Sequence, residues 1–238
     1  MQKKIFVGTS LTKPVCALRV HETSVPGARL DTASTAASWR PLAQPATSST
    51  ENATSQRRTP SSYAPMEPLL VIVTGPPGAG KSTLAEGLAP RLGLPLLAKD
   101  TLKETLHDTL GGEGRAWSQR LGLATFEVMF RVLDTLLLTG CSVVAEGNFS
   151  RPEPFRALPP ARVVQVYVSA PPELIQERFR ARNRAHPVHY DLQVIDEVPQ
   201  RMAAGEWDPL DLDCVLIRVD GSAAADADAV ADRIRARA

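Results

Sequence analysis

The chain has 238 residues, enough for one or two domains, with a net charge of +1 and 5% aromatic residues. No apolar run approaches the roughly 18–20 residues needed to span a bilayer, so a membrane partner is not expected. Three cysteines cannot all pair, and Cys141 and Cys214 sit in apolar runs that read as buried positions of a reducing compartment.

Residues 1–65 carry eight Lys/Arg against three acids, for +5, while the remaining 19 against 23 give −4. From residue 22 to 65 the chain is rich in Ser, Thr, Ala and Pro and shows no sustained period of 2 or 3.6. Such a segment buries too little apolar surface to offset its ordering entropy. Residues 1–65 are therefore expected to be disordered, apart from a short strand near Lys4–Gly8. Three readings stand: a flexible tail, an organellar transit peptide, or an upstream extension that the working protein lacks. Met66 favours the third, because MEPLLVIVTG starts two residues before the first strand of a compact domain. Residues 66–238 form that domain. A cytoplasmic location follows, or an organellar one if the segment is a transit peptide.

From Met66 onward, strand and helix signals alternate. Leu69–Thr74 is an all-apolar strand suited to a sheet covered on both faces. It runs into Gly75, Pro76, Pro77, Gly78, Ala79, Gly80, Lys81, Ser82 and Thr83, which contain the G-x-x-x-x-G-K-[ST] phosphate-binding pattern. Glycines let such a loop curl, so that successive N–H groups and the following helix N-terminus point at phosphate oxygens. Lys81 is expected to reach the β- and γ-phosphates and Ser82 to take a site on Mg²⁺.

A helix follows over Lys81 to about Leu92, with Pro90 distorting or closing its last turn. Leu94–Ala98 reads as a second strand and a short helix starts at Thr101. Gly111–Gly114 is a loop and Trp117–Thr139 a long helix stopped at Gly140. Ser142–Glu146 is strand three, Arg151–Ala161 a proline-rich loop and Arg162–Ser169 strand four. A helix runs from Pro171 to about Asn183, another covers Leu192–Ala204, Asp213–Val219 is strand five and Ala223–Ala238 closes the chain. Five strands separated by helices argue a parallel sheet in a three-layer α/β domain.

In such sheets ligands bind beyond the carboxyl ends of strands. Asp100, just past strand two, could accept the proton of an attacking hydroxyl, or else cap the next helix. Lys103, one turn on, either holds an anionic part of the acceptor or is a solvated lysine. Glu146, after four apolar residues, occupies a Walker-B-like place for Mg²⁺ or its water, with acceptor contact or a turn cap as alternatives. Asn148 and Arg151 face the same mouth. Arg178, Arg180, Arg182 and Arg184 leave the helix after strand four. One of Arg178, Arg182 or Arg184 is expected to act as a lid arginine on the γ-phosphate, against the plainer reading of a basic helix end. His186 and His189 read mainly as exposed loop residues. Asp220-Gly221-Ser222 borders the base or simply turns into the last helix. No His/Cys cluster has metal-ligand spacing.

The combination of GPPGAGKST, Asp100, VVAEGNF and the arginine-rich segment resembles the small P-loop kinases of the nucleoside-monophosphate-kinase-like group. Within that group it is most similar to the AAA-33, zeta-toxin and chloramphenicol-phosphotransferase-like set. The resemblance covers about Pro68–Asp220. It implies strand order 2-3-1-4-5, ATP with Mg²⁺, a mobile lid, and Asp100 as the base that activates a substrate hydroxyl. Lys103 stands where family members often carry arginine, and Glu146 where a Walker-B aspartate is usual. The expected activity is ATP-dependent phosphorylation of a small-molecule hydroxyl. A 5′-hydroxyl polynucleotide kinase and a non-kinase ATP-binding regulator are the alternatives. The acidic, aromatic-poor body counts against nucleic acid.

Overall fold

Leu69–Thr74 has no position that tolerates solvent, and in the computed structural model it is the buried central strand, β1. The structure describes residues 67–181, 186–190 and 195–237. The 1–65 segment expected to be disordered, Arg182 and Arg184 lie outside them. In chain order, α1 (Lys81–Leu92), β2 (Leu96–Ala98), α2 (Lys99–Leu110) and α3 (Arg115–Leu138) follow β1. Then come β3 (Val143–Glu146), α4 (Glu153–Arg156), β4 (Arg162–Ser169) and α5 (Pro172–Ala181). A 3₁₀ turn (Ile195–Glu197), α6 (Val198–Ala203), β5 (Val215–Asp220) and α7 (Ala227–Arg235) complete the described chain.

All strand pairs are parallel and the order is β2-β3-β1-β4-β5. Alternate residues of β1 serve opposite faces. Val71 and Val73 pack with Leu84 and Leu88 of α1 and with Val230 and Ile234 of α7. Leu70 and Ile72 pack with Met129 and Leu133 of α3 and with Phe149 and Phe155. Registers Val73↔Glu146 and Ala98↔Glu146 bring the carboxyl ends of β1, β2 and β3 level. That shared edge carries the site.

Several boundaries differ from the sequence reading. β2 begins at Leu96, two residues late. Gly93, in the left-handed region at φ 66°, and Leu94 are used to end α1 through N–H bonds to Pro90 and Ala89 carbonyls. α2 starts at Lys99, so Asp100 sits inside its first turn and is not its cap. The proline-rich loop contains the one-turn α4, which buries Phe155 edge-on against Phe149 and Phe130 with centroids 4.9 and 5.0 Å apart. β5 is shifted to 215–220, and α7 starts only at Ala227, where the Asp226 carboxylate accepts from the Asp228 and Ala229 N–H groups. Cys141 is exposed and Cys214 half-buried, so neither is the buried residue the apolar context suggested. Among the described residues no helix is long and apolar enough to cross a membrane.

Candidate active site

The loop after β1 depends on glycine at particular points. Gly75 has φ 137°, and a Cβ there would stand 2.0 Å from the Val168 carbonyl oxygen. Gly78 and Gly80 have φ of 82° and 100°, in the left-handed region that disfavours side chains. The curled loop delivers Lys81 and Ser82 to the first turn of α1. Lys81 is 6% exposed and its Nζ donates to the Pro76 carbonyl at 2.8 Å, so the ammonium lies folded over the loop.

Glu146 ends β3 opposite this turn. The Ser82 hydroxyl donates to its Oε1 at 3.3 Å. Burial pushes the Glu146 carboxyl above its ordinary range; nearby Lys81 opposes the shift and Asp100 adds to it. A desolvated carboxylate beside a serine hydroxyl is an all-oxygen donor set that further positive charge would stabilise. It fits a hard cation such as Mg²⁺, and Ser82 and Glu146 are the residues that could hold one.

One cleft joins these groups to the start of α2. Asp100 lines it, with Oδ1 3.0 Å from Lys99 Nζ. Lys103 lines it too, is 8% exposed, and donates to the Ser118 hydroxyl at 2.7 Å. That hydroxyl donates in turn to the Val188 carbonyl at 2.7 Å. Lys103 is thus built into the wall and is not the solvated lysine of the plainer reading. Asn148 also lines the cleft, whereas Arg151 points outward and pairs with Glu153 at 3.6 Å.

His189 and Tyr190 close the other side. The His189 ring is 5% exposed and meets Glu104 at 2.7 Å, and the Tyr190 hydroxyl accepts from the Gly114 N–H at 2.8 Å. His189 is therefore not an exposed loop residue. Lys99, Phe179 and Tyr190 were not singled out in the sequence. Lys99 was legible as the neighbour of Asp100. Phe179 and Tyr190 reach the cleft only through the return of α5 and the following segment.

A second hollow opens on the far side of the same loop. It is lined by Thr83, Leu84, Val168, Arg178, Gly221 and the Ala223–Ala225 run. A Cβ at Gly221 would stand 2.1 Å from the Ala79 carbonyl, so the turn after β5 presses directly on the phosphate loop. Arg178 spans the two, donating to the Gly78 carbonyl at 3.4 Å and the Ser222 carbonyl at 3.1 Å. It therefore lies on the hollow's side of the loop and not over the Lys81 cleft where a γ-phosphate arginine was expected. Arg180 faces outward to Asp196 at 3.7 Å.

Comparison with known proteins agrees with this arrangement. The AAA_33 family model, described as an AAA domain, matches residues 70–204. A shikimate kinase of Paracidovorax citrulli is 33% identical over 123 residues, covering 47% of this chain and 62% of that protein. An uncharacterized protein of Mycobacterium tuberculosis, Rv2004c, is 32% identical over 91 residues, which cover 35% of this chain and only 18% of the mycobacterial one. A crystal structure of a presumed kinase from Chloroflexus aurantiacus J-10-fl superposes with a TM-score of 0.65 at 31% identity, covering 73% of this chain and 100% of that one. With the phosphate loop, the 2-3-1-4-5 sheet and a family match over more than half its length, the chain belongs to the AAA_33 family and is built as a small P-loop kinase of the nucleoside-monophosphate-kinase-like group.

Proposed function

We propose that the protein transfers the γ-phosphate of ATP to a hydroxyl of a small-molecule acceptor. One observation carries this reading: the Asp100 carboxylate, held by Lys99 at 3.0 Å, lines the same cleft as Lys81 and Ser82. The loop N–H groups and Lys81 bind the β- and γ-phosphates, and the base of the nucleotide takes the hollow beside Gly221. Asp100 accepts the proton of the acceptor hydroxyl as its oxygen bonds to the γ-phosphorus. The bond from that phosphorus to the β–γ bridging oxygen breaks, leaving ADP and a phosphate monoester. Ser82 and Glu146 would hold Mg²⁺, which when bound would supply positive charge against the phosphate oxygens. Lys103 and Asn148 orient the acceptor. Arg182 and Arg184 remain the arginines proposed to meet the γ-phosphate.

The test is ATP turnover measured against a panel of hydroxyl compounds, including sugars, shikimate-like hydroxy acids, antibiotics, nucleosides and oligonucleotide 5′ ends. Acceptor-dependent ADP release with a phosphorylated small molecule is the expected result. Turnover only with the oligonucleotides, or none beyond slow hydrolysis with any compound, overturns it.

Two variants probe the nucleotide half. Arg178→Ala is expected to weaken ATP binding roughly 10-fold, the scale of one charge-assisted contact in a partly exposed setting, with little change in kcat at saturation. Calorimetric titration beside steady-state kinetics reads both; a kcat loss without an affinity loss would return Arg178 to the transition state. Glu146→Gln tests the buried carboxylate. Its raised pKa means that the folded protein holds this proton more tightly than the unfolded chain does. The group's contribution is present below the unfolded carboxyl range and is lost as pH rises through the folded value. Ligand-free Glu146→Gln should therefore melt above wild type at neutral pH, while losing the extra stabilisation that Mg²⁺-ATP confers on wild type. Scanning calorimetry with and without Mg²⁺-ATP measures both.

A further inference from the structure

The sequence shows no metal-ligand spacing, yet the fold assembles a ligand set. His107 and Asp108 lie near the end of α2, and His186 is 78 residues further along the chain. His107 Nδ1 or Nε2, an Asp108 carboxylate oxygen and one His186 ring nitrogen all lie within 4.8 Å of one another. Asp108 Oδ1 is 3.0 Å from His186 Nε2 and 3.8 Å from His107 Nδ1. The two rings meet edge to face with centroids 5.2 Å apart.

A histidine–carboxylate pair alone accounts for His186 and Asp108 but not for His107. The Nε2–H of His107 donates to the Gly112 carbonyl at 3.1 Å. That leaves Nδ1 with a lone pair. This atom is buried, has no hydrogen-bond partner, and faces the same carboxylate oxygen. At 3.8 Å the two are too far apart for a hydrogen bond. Two ligand atoms of one tetrahedral ion with bonds of roughly 2.1 Å stand about 3.4 Å apart. The observed separations of 3.0 and 3.8 Å bracket that spacing. The backbone carbonyl on Nε2 is also the outer contact that fixes a metal-binding imidazole in the right tautomer.

We propose that His107, Asp108 and His186 form a Zn²⁺ site separate from the Ser82–Glu146 site. Two imidazoles and one carboxylate suit Zn²⁺ over Mg²⁺, which prefers oxygen ligands and near-octahedral geometry. Water fills the fourth position, on the open side where the Asp108 side chain is 69% exposed. Binding requires the His186 proton to move from Nε2 to Nδ1. That move gives up the Nε2–H bond to Asp108 at 3.0 Å, which shared coordination to the ion replaces, and the long 3.3 Å bond from the Val188 N–H. Zn²⁺ would then fasten the end of α2 to the segment that carries His189 and Tyr190 into the cleft.

The experiment titrates the full chain with Zn²⁺ in excess Mg²⁺ against a chromophoric chelator, and repeats it with Co²⁺ as a spectroscopic substitute. Wild type should bind one equivalent of Zn²⁺, show tetrahedral Co²⁺ d–d absorption, and melt at higher temperature with Zn²⁺ present. His107→Ala, His186→Ala and Asp108→Ala should each lose more affinity than the about 10–100-fold expected for an outer-shell partner. Asp108 is exposed, so its alanine variant keeps the fold if either histidine variant does not. Cys141→Ser should bind as wild type does, which excludes the exposed thiol as the ligand. Unchanged Zn²⁺ affinity in Asp108→Ala, loss of binding in Cys141→Ser, or no stoichiometric binding by wild type overturns the site.

Discussion

Lys81→Ala should all but abolish phosphoryl transfer. The lysine is held at 6% exposure with its Nζ against the Pro76 carbonyl, so its charge is already desolvated and aimed along the loop. An ammonium between the β- and γ-phosphates gains strength as charge builds on the bridging oxygen. Losing a comparable preorganised donor costs about 10²–10³-fold in kcat. Nucleotide affinity should also fall, by roughly 10–100-fold for a charged hydrogen bond. Lys81→Arg should not rescue, because a planar fork does not fit where a compact ammonium is enclosed by the loop. The fold should survive both changes, since Lys81 belongs to the phosphate loop and neither substitution touches the strand and helix core. Turnover, ATP calorimetry and circular dichroism on the three proteins check this. Wild-type turnover in Lys81→Ala would remove the basis for the whole site.

What the sequence made legible follows how local the cause is. The loop was readable because glycine and lysine at fixed offsets answer to backbone geometry and phosphate charge within nine residues. β1 and β4 were readable to the residue: β1 is a continuous apolar run, and β4 is a valine-rich run set between Pro160 and Pro171. β2 was misjudged at its start because Gly93 and Leu94 were claimed by the helix before it. Asp100 lines the cleft, and its alternative as a helix cap fails because α2 begins at Lys99, two residues before the expected Thr101. Arg178 was assigned by its charge, and charge does not say which side of the loop a helix will face. Its bonds to the Gly78 and Ser222 carbonyls depend on how α5 packs over the turn after β5. The His107–Asp108–His186 grouping had no signal at all, since its members meet only after the chain returns to α2.

Asp100→Asn should separate transfer from binding. Asp100 does not cap α2, so the asparagine removes no cap, and its amide oxygen has the size and place to keep accepting from Lys99 Nζ. Folding and ATP affinity should therefore stay near wild type, because the phosphates are held on the neighbouring strand's loop. Transfer to the acceptor should fall by roughly 10²–10⁴-fold, the range for a positioned general base. The lower end is expected if the transition state is loose, since the hydroxyl then needs little deprotonation before the phosphoryl group moves. Glu146 is the competing carboxylate, and its geometry argues for a different role: it is bonded to Ser82, on the nucleotide side of the cleft. The two variants should then differ in kind. Glu146→Gln should lose Mg²⁺-dependent nucleotide affinity, and Asp100→Asn should lose acceptor turnover at full nucleotide occupancy. Calorimetry with Mg²⁺-ATP and transfer kinetics on both proteins measure the difference. Full transfer by Asp100→Asn, with transfer abolished in Glu146→Gln at saturating nucleotide, would exchange the two roles.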